Sequence, residues 1–175
     1  MDLRDLTIET ERLRLIPVSE KYSEQVFSEY NERVTLYMNH GPPESLDDVH
    51  ERMRGRQEGM AKGTRLFMAV LLKNSEEFIG CFALEDLDQR NPEMGGWLKE
   101  TAHGNRYGQE AAAALKEWAD KHLDYDHLIW PCATMNAASR KVAESLGGKI
   151  QREYEKKTVS GKKLPYVEYW IPRSQ

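Results

Sequence analysis

Residues 95–111, GGWLKETAHGNRYGQEA, decide the fold of this chain. They predict the end of a strand (Met94 to Leu98), a glycine-bearing turn (His103 to Gly108) and a helix from Gln109 to about Leu123. A turn of this kind aims several backbone N–H groups at one point, where the positive end of the helix dipole also lies. That geometry suits a pyrophosphate group, although many strand–turn–helix joints carry two glycines only to make the bend.

Other phosphate-binding motifs fit this stretch less well. A P-loop ends in Gly-Lys-Ser/Thr, whereas this turn continues as Gly108-Gln109-Glu110. A dinucleotide-binding fold places its glycine turn after the first strand of a parallel sheet. Here several predicted strands precede the turn, so the sequence supports neither motif.

The rest of the chain alternates between short strands and helices. Helices are predicted to begin after Ser19, Ser45 and Asn136, each of which can cap a first turn. The first helix places one set of apolar residues on its buried face: Tyr22, Val26, Phe27 and Tyr30. The other predicted strands are 13–17, 67–72, 78–84, 127–134, 149–158 and 164–171.

Only the fourth and fifth predicted strands, 94–98 and 127–134, are joined by a long helix and need a parallel pairing. Hairpin connections join the strands before and after them. The sequence therefore predicts an α+β fold, with one mixed, mostly antiparallel sheet flanked by about four helices.

Composition excludes several classes of protein. The chain has 175 residues, 39% hydrophobic and 31% charged, which predicts a single globular domain over residues 1–175. Its 25 basic and 29 acidic residues give a net charge of −4, so no overall field attracts nucleic acid. Cys81 and Cys132 have neither metal-ligand nor disulfide spacing. The amino terminus is too charged for a secretory signal, and no apolar run approaches the ~20 residues of a membrane helix. We expect a cytoplasmic protein without a metal ion.

Ordered motifs extend over nearly the whole chain. They are Glu9–Leu15 on the first predicted strand, Gly41–Pro43 before the second helix, Ile79-Gly80 on the third strand, Glu93–Gly95 with Trp97-Leu98 on the fourth, the turn with Gly104, Tyr107, Glu110 and Ala111, and the pattern Asn136-x-x-Ser139-x-x-Val142 ending at Gly147. With these motifs the chain resembles the GNAT superfamily of N-acetyltransferases, in the branch of the ribosomal-protein N-terminal acetyltransferases.

The resemblance implies that acetyl-CoA binds in a cleft where the fourth and fifth predicted strands splay apart. Pro131, within the fifth strand, is compatible with such a separation because it has no N–H for a neighbouring strand, and equally with a simple edge strand. The residues implied to contact the coenzyme are Trp97, Leu98, His103, Gly104, Asn105, Arg106, Tyr107, Gly108, Gln109, Asn136 and Ser139.

The turn departs from the family pattern at two positions. That pattern, Gln/Arg-x-x-Gly-x-Gly/Ala, falls on His103, Arg106 and Gly108. In place of the middle glycine, Arg106 must adopt an allowed backbone angle or strain the turn. Its guanidinium can offset that cost by pairing with a phosphate.

Acyl transfer to an amine needs a base to take the amine proton and a donor to the oxyanion. We favour Glu93 as the base. The donor is expected to be the backbone N–H of Trp97 or Leu98. Alternative candidates for the base are Glu85, Asp86 and Glu168.

The departing thiolate needs an acid. Many family members use a tyrosine seven residues after the asparagine, where this chain has Ala143. The branch that the chain resembles carries a serine instead, which matches Ser139. Ser139 is therefore the candidate acid, unless it only bonds the first turn of its helix, and Asn136 contacts the pantetheine, caps that helix, or does both.

The predicted function is transfer of an acetyl group from acetyl-CoA to a primary amine, by direct attack in a ternary complex. The acceptor is a protein N-terminus or a small molecule, and the protein is a monomer or a homodimer. The alternative is a non-catalytic CoA-binding or sensing protein of the same fold. In addition, acidic residues are hypothesised to attract a cationic acceptor: Glu44, Asp47, Asp48, Glu85, Asp86 and Asp88.

Overall fold

A computed structural model describes residues 1–174, which form one eight-stranded sheet with four α-helices. The strands are β1 (Ile8–Glu9), β2 (Leu13–Pro17), β3 (Leu66–Leu72), β4 (Phe78–Glu85), β5 (Glu93–Leu98), β6 (His127–Ala133), β7 (Lys149–Lys157) and β8 (Lys163–Pro172). The helices are α1 (Ser23–Glu29), α2 (Leu46–Lys62), α3 (Tyr107–His122) and α4 (Ala137–Ser145). Single turns of 3-10 helix lie at Glu20–Tyr22 and Glu100–Ala102. None of the helices within residues 1–174 is long and apolar enough to cross a membrane.

The strand order is β1-β2-β3-β4-β5-β6-β8-β7, and every neighbouring pair is antiparallel except β5 and β6. This order confirms the predicted α+β fold, with one parallel crossover through α3. The parallel pair is in register only at Glu93 and Ile129, whereas β5 pairs with β4 along its whole length and β6 does so with β8. β5 and β6 therefore separate beyond Glu93, which confirms the predicted splay.

Register assigns the sheet two faces, because paired residues on neighbouring strands point to the same side. The face that we call the α1/α2 face is covered in part by α1 and α2. Arg56 of α2 lies over the ring of Phe67, and Tyr30, just after α1, packs against Trp97. Paired positions place five further residues on this face: Cys81, Ala83, Glu85, Glu93 and Gly95. The opposite, α3/α4 face carries α3, whose Gly108 lies beside Phe82 and Leu98.

The predicted caps of α2 and α4 are confirmed. Ser45 Oγ accepts a hydrogen bond from Asp48 N–H at 3.2 Å, and Asn136 Oδ1 accepts one from Ser139 N–H at 3.1 Å. Gly147, with a φ of 80°, follows the end of α4 as predicted.

The prediction for the first helix is wrong in two respects. Ser19 makes no side-chain cap, and the chain instead enters a 3-10 turn closed by Tyr22 N–H to Ser19 C=O at 3.0 Å. This tighter turn changes the phase of the short helix that follows, so Phe27, predicted to be buried, is 42% exposed. The helical spacing of the segment from Gln109 to Leu123 also predicts His122 on the buried face of α3, but His122 lies in the last turn of that helix and is exposed.

Glu110, in the first turn of α3, bonds to the β1–β2 connection rather than to its own helix. Its carboxylate accepts hydrogen bonds from Thr10 Oγ1 at 2.5 Å, Arg12 N–H at 2.9 Å and Arg12 Nε at 2.7 Å. Arg12 also donates to the carbonyl of Asn105, in the turn before α3, at 3.1 Å. Burial would raise the pKa of Glu110, but the bonds from Thr10 and Arg12 outweigh it and leave the pKa below its ordinary value. This cluster holds the start of α3 against the first strands.

Glu110→Gln is expected to lower the free energy of unfolding by about 2 kcal/mol at neutral pH, because an amide loses the charge that strengthens these hydrogen bonds. Since the native pKa is depressed, the wild-type advantage is present above the ordinary glutamate pKa and is lost as the pH falls through the native value. Urea unfolding over a pH series measures both effects. The control is Glu117→Gln, on the same helix, whose exposed pair with Lys121 should contribute less than ~0.5 kcal/mol. Equal effects of the two substitutions would contradict the assignment.

Candidate active site

The gap between β5 and β6 receives backbone polar groups from β5. In an antiparallel pair, successive residues direct their N–H and C=O groups to alternate sides. Lys99 N–H bonds to the Ile79 carbonyl on the β4 side at 2.8 Å, so Trp97 also directs its N–H toward β4. Leu98, between them, directs its N–H into the gap. Of the two predicted oxyanion donors, Leu98 is therefore the one that faces the gap.

The β6 edge of the gap explains the proline. Thr134 N–H bonds to Pro165 C=O on the β8 side at 2.8 Å, and Ile129 N–H bonds to Pro92 C=O on the β5 side at 2.9 Å. By the same alternation, the backbone nitrogen of Pro131 lies on the β5 side, within the gap. Pro131 therefore costs the sheet no ladder bond, and it removes one donor that could have paired β6 with β5.

The turn before α3 presents a row of unpaired donors. Within residues 1–174, the backbone N–H groups of residues 104–109 have no acceptor, and bonding resumes with Glu110 N–H to Arg106 C=O at 3.2 Å. Gly104 and Arg106 have φ values of 81° and 62°, a backbone in which successive N–H groups converge. Arg106 thus adopts the left-handed conformation, at a cost of about 1 kcal/mol. These donors lie at the positive end of a 16-residue helix and form a site suited to an anion.

Side chains of the turn shape it instead of occupying it. His103 Nε2 lies 2.8 Å from the carbonyl of Leu98, and since a carbonyl only accepts, Nε2 carries the proton. Asn105 Nδ2 donates to the carbonyls of Ala102 and His103 at 3.3 and 3.1 Å. Arg12 lies over the ring of Tyr107, 4.6 Å from its centroid. The backbone donors of the turn stay available while these contacts hold its shape.

Ser139 lies on the α3/α4 face, at the start of α4. Its Oγ accepts a hydrogen bond from Trp130 Nε1 of β6 at 2.9 Å, so the hydroxyl can donate its own proton to a different group. Burial raises the pKa of the neighbouring Cys132 thiol, and a hydrogen bond from the Ser139 hydroxyl opposes this rise. The Ser139 side chain thus bonds to β6 and not to the first turn of α4.

Three carboxylates on the α1/α2 face differ in their partners. Glu85 pairs with Arg65 at 3.0 Å. Glu168 pairs with Arg152 at 2.7 Å and accepts from Trp170 Nε1 at 2.9 Å. Glu93, where β5 and β6 part, has no hydrogen bond or ion pair to any residue that the structure describes. The remaining rival, Asp86, lies exposed after β4. Among the candidate bases, Glu93 has the free carboxylate nearest the gap.

The surroundings of Glu93 favour its neutral form. Burial raises its pKa, and the charges of Glu85, Asp86 and Glu168 add to that rise against the opposing charge of Lys156. Glu93 is nonetheless accessible to solvent. A raised pKa suits a group that acts as a base, because its conjugate acid then holds the accepted proton more firmly.

Beside Glu93, the α1/α2 face has an open surface over Gly95, which we call the acceptor cleft and which the sequence did not predict. Its bottom is formed by Ala83 and Gly95, and a Cβ built on Gly95 would meet nothing within 4 Å. Tyr30 and Trp97, with ring centroids 5.0 Å apart, close one end. Across the gap stands Tyr166, whose pKa burial raises to about 12, so its hydroxyl stays protonated. No local motif marks these residues, because they come together only through the register of the sheet.

Two of the six acidic residues hypothesised to attract a cationic acceptor are paired with arginines of the same chain. Asp48 pairs with Arg52 at 2.7 Å, and Glu85 pairs with Arg65 as described above. Among residues 1–174, no group of three or more His, Cys, Asp or Glu side chains is placed to hold a metal ion.

Solved structures show the same fold. A GCN5-related N-acetyltransferase from Brucella melitensis superposes with a TM-score of 0.80 at 18% identity, over 99% of this chain and 81% of that one. RimL, a ribosomal-protein alpha-N-acetyltransferase in complex with coenzyme A, gives 0.85 at 16% identity, over 95% and 98%. An acetyltransferase from Salmonella typhimurium that modifies the N-terminal serine of a 50S ribosomal subunit protein gives 0.83 at 15% identity, over 97% and 100%. A search of curated proteins finds no significant sequence match.

The sequence itself places the chain in a family. Residues 12–149, most of the chain, match the profile of the acetyltransferase (GNAT) domain. This range begins in the segment before β2 and extends past α4, so it includes the turn and both strands that border the gap. The chain therefore belongs to the GNAT acetyltransferase family.

Proposed function

We propose that this protein transfers an acetyl group from acetyl-CoA to a primary amine, by direct attack within a ternary complex. The observation that carries this proposal is the row of unpaired N–H groups at residues 104–109, next to a gap in the sheet. The related fold of RimL is known in complex with coenzyme A, which supports the same donor here.

The residues of the gap and the turn fit the coenzyme. The N–H groups of residues 104–109 bind the pyrophosphate, and the Arg106 guanidinium is free to pair with a phosphate oxygen. The pantetheine chain extends through the gap, where Leu98 offers its N–H and Asn136 and Ser139 stand on the α4 side. The coenzyme supplies the activated acyl group as a thioester.

The two faces of the sheet divide the chemistry. The amine enters over Gly95 on the α1/α2 face, where Glu93 takes up its proton directly or through one water. Leu98 N–H donates to the thioester oxygen, on which negative charge develops. Ser139, on the α3/α4 face, donates its proton toward the departing sulfur. The base and the acid thus act from opposite sides of the gap.

The acceptor is proposed to be a protein N-terminus or a small-molecule amine. The Salmonella acetyltransferase with this fold modifies an N-terminal serine, which favours the first of these. The proposed assembly is a monomer or a homodimer, and the proposed location is the cytoplasm.

Acetyl-CoA at about 100 times its Kd is expected to raise the melting temperature by about 5–10 °C, since it stabilises only the folded state. Thiol release should then occur only when an amine is added. A panel of peptides, amino acids and polyamines identifies which amine the enzyme uses. Stabilisation without amine-dependent thiol release would indicate a non-catalytic CoA-binding protein. Absence of any stabilisation would contradict both functions.

Glu93→Gln is expected to lower kcat by about 100-fold or more near pH 7, because the acceptor amine then has no base. The deficit should shrink as the pH rises toward the pKa of the amine, where the free amine is already populated. Steady-state kinetics over a pH series measures this change. The control is Glu153→Gln on β7. Glu153 lies on the α3/α4 face, opposite to the face of Glu93, so this substitution should leave kcat unaltered. A wild-type rate for Glu93→Gln at neutral pH would show that Glu93 is not the base.

A further inference from the structure

Arg56 is a cation of the acceptor cleft without a partner. Its guanidinium lies over the ring of Phe67, 3.7 Å from the centroid. It forms no hydrogen bond and no ion pair with any of residues 1–174. The other arginines of α2 are paired, Arg52 with Asp48 at 2.7 Å and Arg54 with Glu20 at 3.9 Å. Glu85, the nearest acid on the same face, is held by Arg65.

Leaving Arg56 unpaired is unfavourable in this position. Burial lowers its pKa, and the nearby charge of Arg52 lowers it further. A guanidinium stacked on an aromatic ring keeps its N–H donors free around its edge, which is the arrangement that binds a carboxylate through two parallel bonds. Partly buried donors without an acceptor are uncommon in folded proteins. This arrangement points to an anionic ligand.

The register of the sheet gives the separation between Phe67, on which this cation lies, and Gly95, over which the amine is proposed to enter. Phe67 of β3 pairs with Ala83 of β4, which pairs with Gly95 of β5. Two strand spacings of ~4.8 Å separate Phe67 from Gly95, or about 10 Å. Glu93, two residues before Gly95, is on the same face. A second cation without an ion pair among the described residues, Lys156 of β7, contributes to the charge around Glu93.

We propose that Arg56 determines acceptor specificity by binding a carboxylate that the acceptor carries about 10 Å from its reactive amine. The inference rests on the proposed acetyl transfer. A free α-amino acid is too short to place both groups. An extended peptide advances by about 3.3 Å per residue, so an acidic side chain at its second or third position reaches Arg56. The acceptor class is therefore an N-terminus followed closely by Asp or Glu, in contrast to the cationic acceptor hypothesised from the sequence.

The wild-type enzyme tests this with matched acceptors. Two tetrapeptides amidated at the C-terminus, Ser-Asp-Ala-Gly and Ser-Ala-Asp-Gly, serve as acceptors. They are compared with the same peptides carrying Asn in place of Asp, with free glutamate and with spermidine. The acidic peptides should have a kcat/KM about 10- to 100-fold above their Asn counterparts, the effect of one charge-assisted paired contact. Equal use of both peptide sets, or preference for glutamate or spermidine, would overturn the proposal.

Arg56→Met keeps an unbranched chain on Phe67 and removes the guanidinium. It should raise KM for the acidic peptides about 10- to 100-fold, while their kcat, the KM for the Asn peptides and the Kd of acetyl-CoA stay near wild type. Arg54→Met is the matched control, since Arg54 is on the same helix with a side chain 63% exposed. If Arg56→Met does not fold, Arg56→Lys, which keeps the charge without the paired donors, should show a smaller rise in KM. An unchanged KM in the folded variant would contradict the assignment.

Failure of this inference is distinguishable from failure of the proposed function. If acetyl-CoA neither binds nor releases thiol with any amine, the acetyl transfer itself is wrong. If amines are acetylated but neither the acid at position two or three nor Arg56 affects KM, only the assignment of Arg56 is wrong.

Discussion

The parting of β5 and β6 is the constraint on which the rest of this structure depends. The two strands are in register at Glu93 and Ile129 and separate beyond that point. A sheet interior normally satisfies its own backbone groups. Here the alternation of the ladders leaves Leu98 N–H facing an opening, and Pro131 removes a donor from the other side. The sequence itself therefore produces the gap, and the gap provides a passage between the two faces of the sheet.

Two further elements give the gap its chemistry. The turn at residues 104–109 places unpaired donors at the positive end of α3, and Glu110 and Arg12 hold that end against the first strands. On the opposite face, α1 and α2 cover β2 to β4 but leave the surface over Gly95 open. In the proposed reaction, a thioester in the gap is accessible to an amine from one side, and its leaving group is protonated from the other. Access from both faces of the sheet is what the proposed ternary complex needs.

The sequence predicted most of the fold and part of the site. Apolar runs, an alternating first strand and helical spacing located every long strand and α2 to α4, and Ser45 and Asn136 were recognisable caps because a cap bond is local. The first helix was misjudged since a 3-10 turn after Ser19 shifted the phase of Phe27. β1, which is only two residues long, carries too short a pattern to be detected.

The parts that the sequence did not predict depend on contacts between distant residues. The sequence offers Glu85, Glu93 and Glu168 as candidate bases, and only the ion pairs of the other two in the fold show that Glu93 is left free. Likewise, the sequence does not distinguish Arg56 from Arg52 and Arg54 of α2. The fold shows that those two are paired, with Asp48 and Glu20, and that Arg56 is not. A lack of pairing is a property of the whole fold and has no local signal.

Amide hydrogen exchange, followed residue by residue by NMR with and without coenzyme A, tests the central claim most directly. In the free protein, the amides of residues 104–109 and Leu98 should exchange rapidly because they lack acceptors, while that of Trp97 should be protected by β4. Saturating coenzyme A should slow the exchange of the unpaired amides by about tenfold or more and leave Trp97 unchanged. Binding of coenzyme A with protection elsewhere, and none at residues 104–109 or Leu98, would contradict the account.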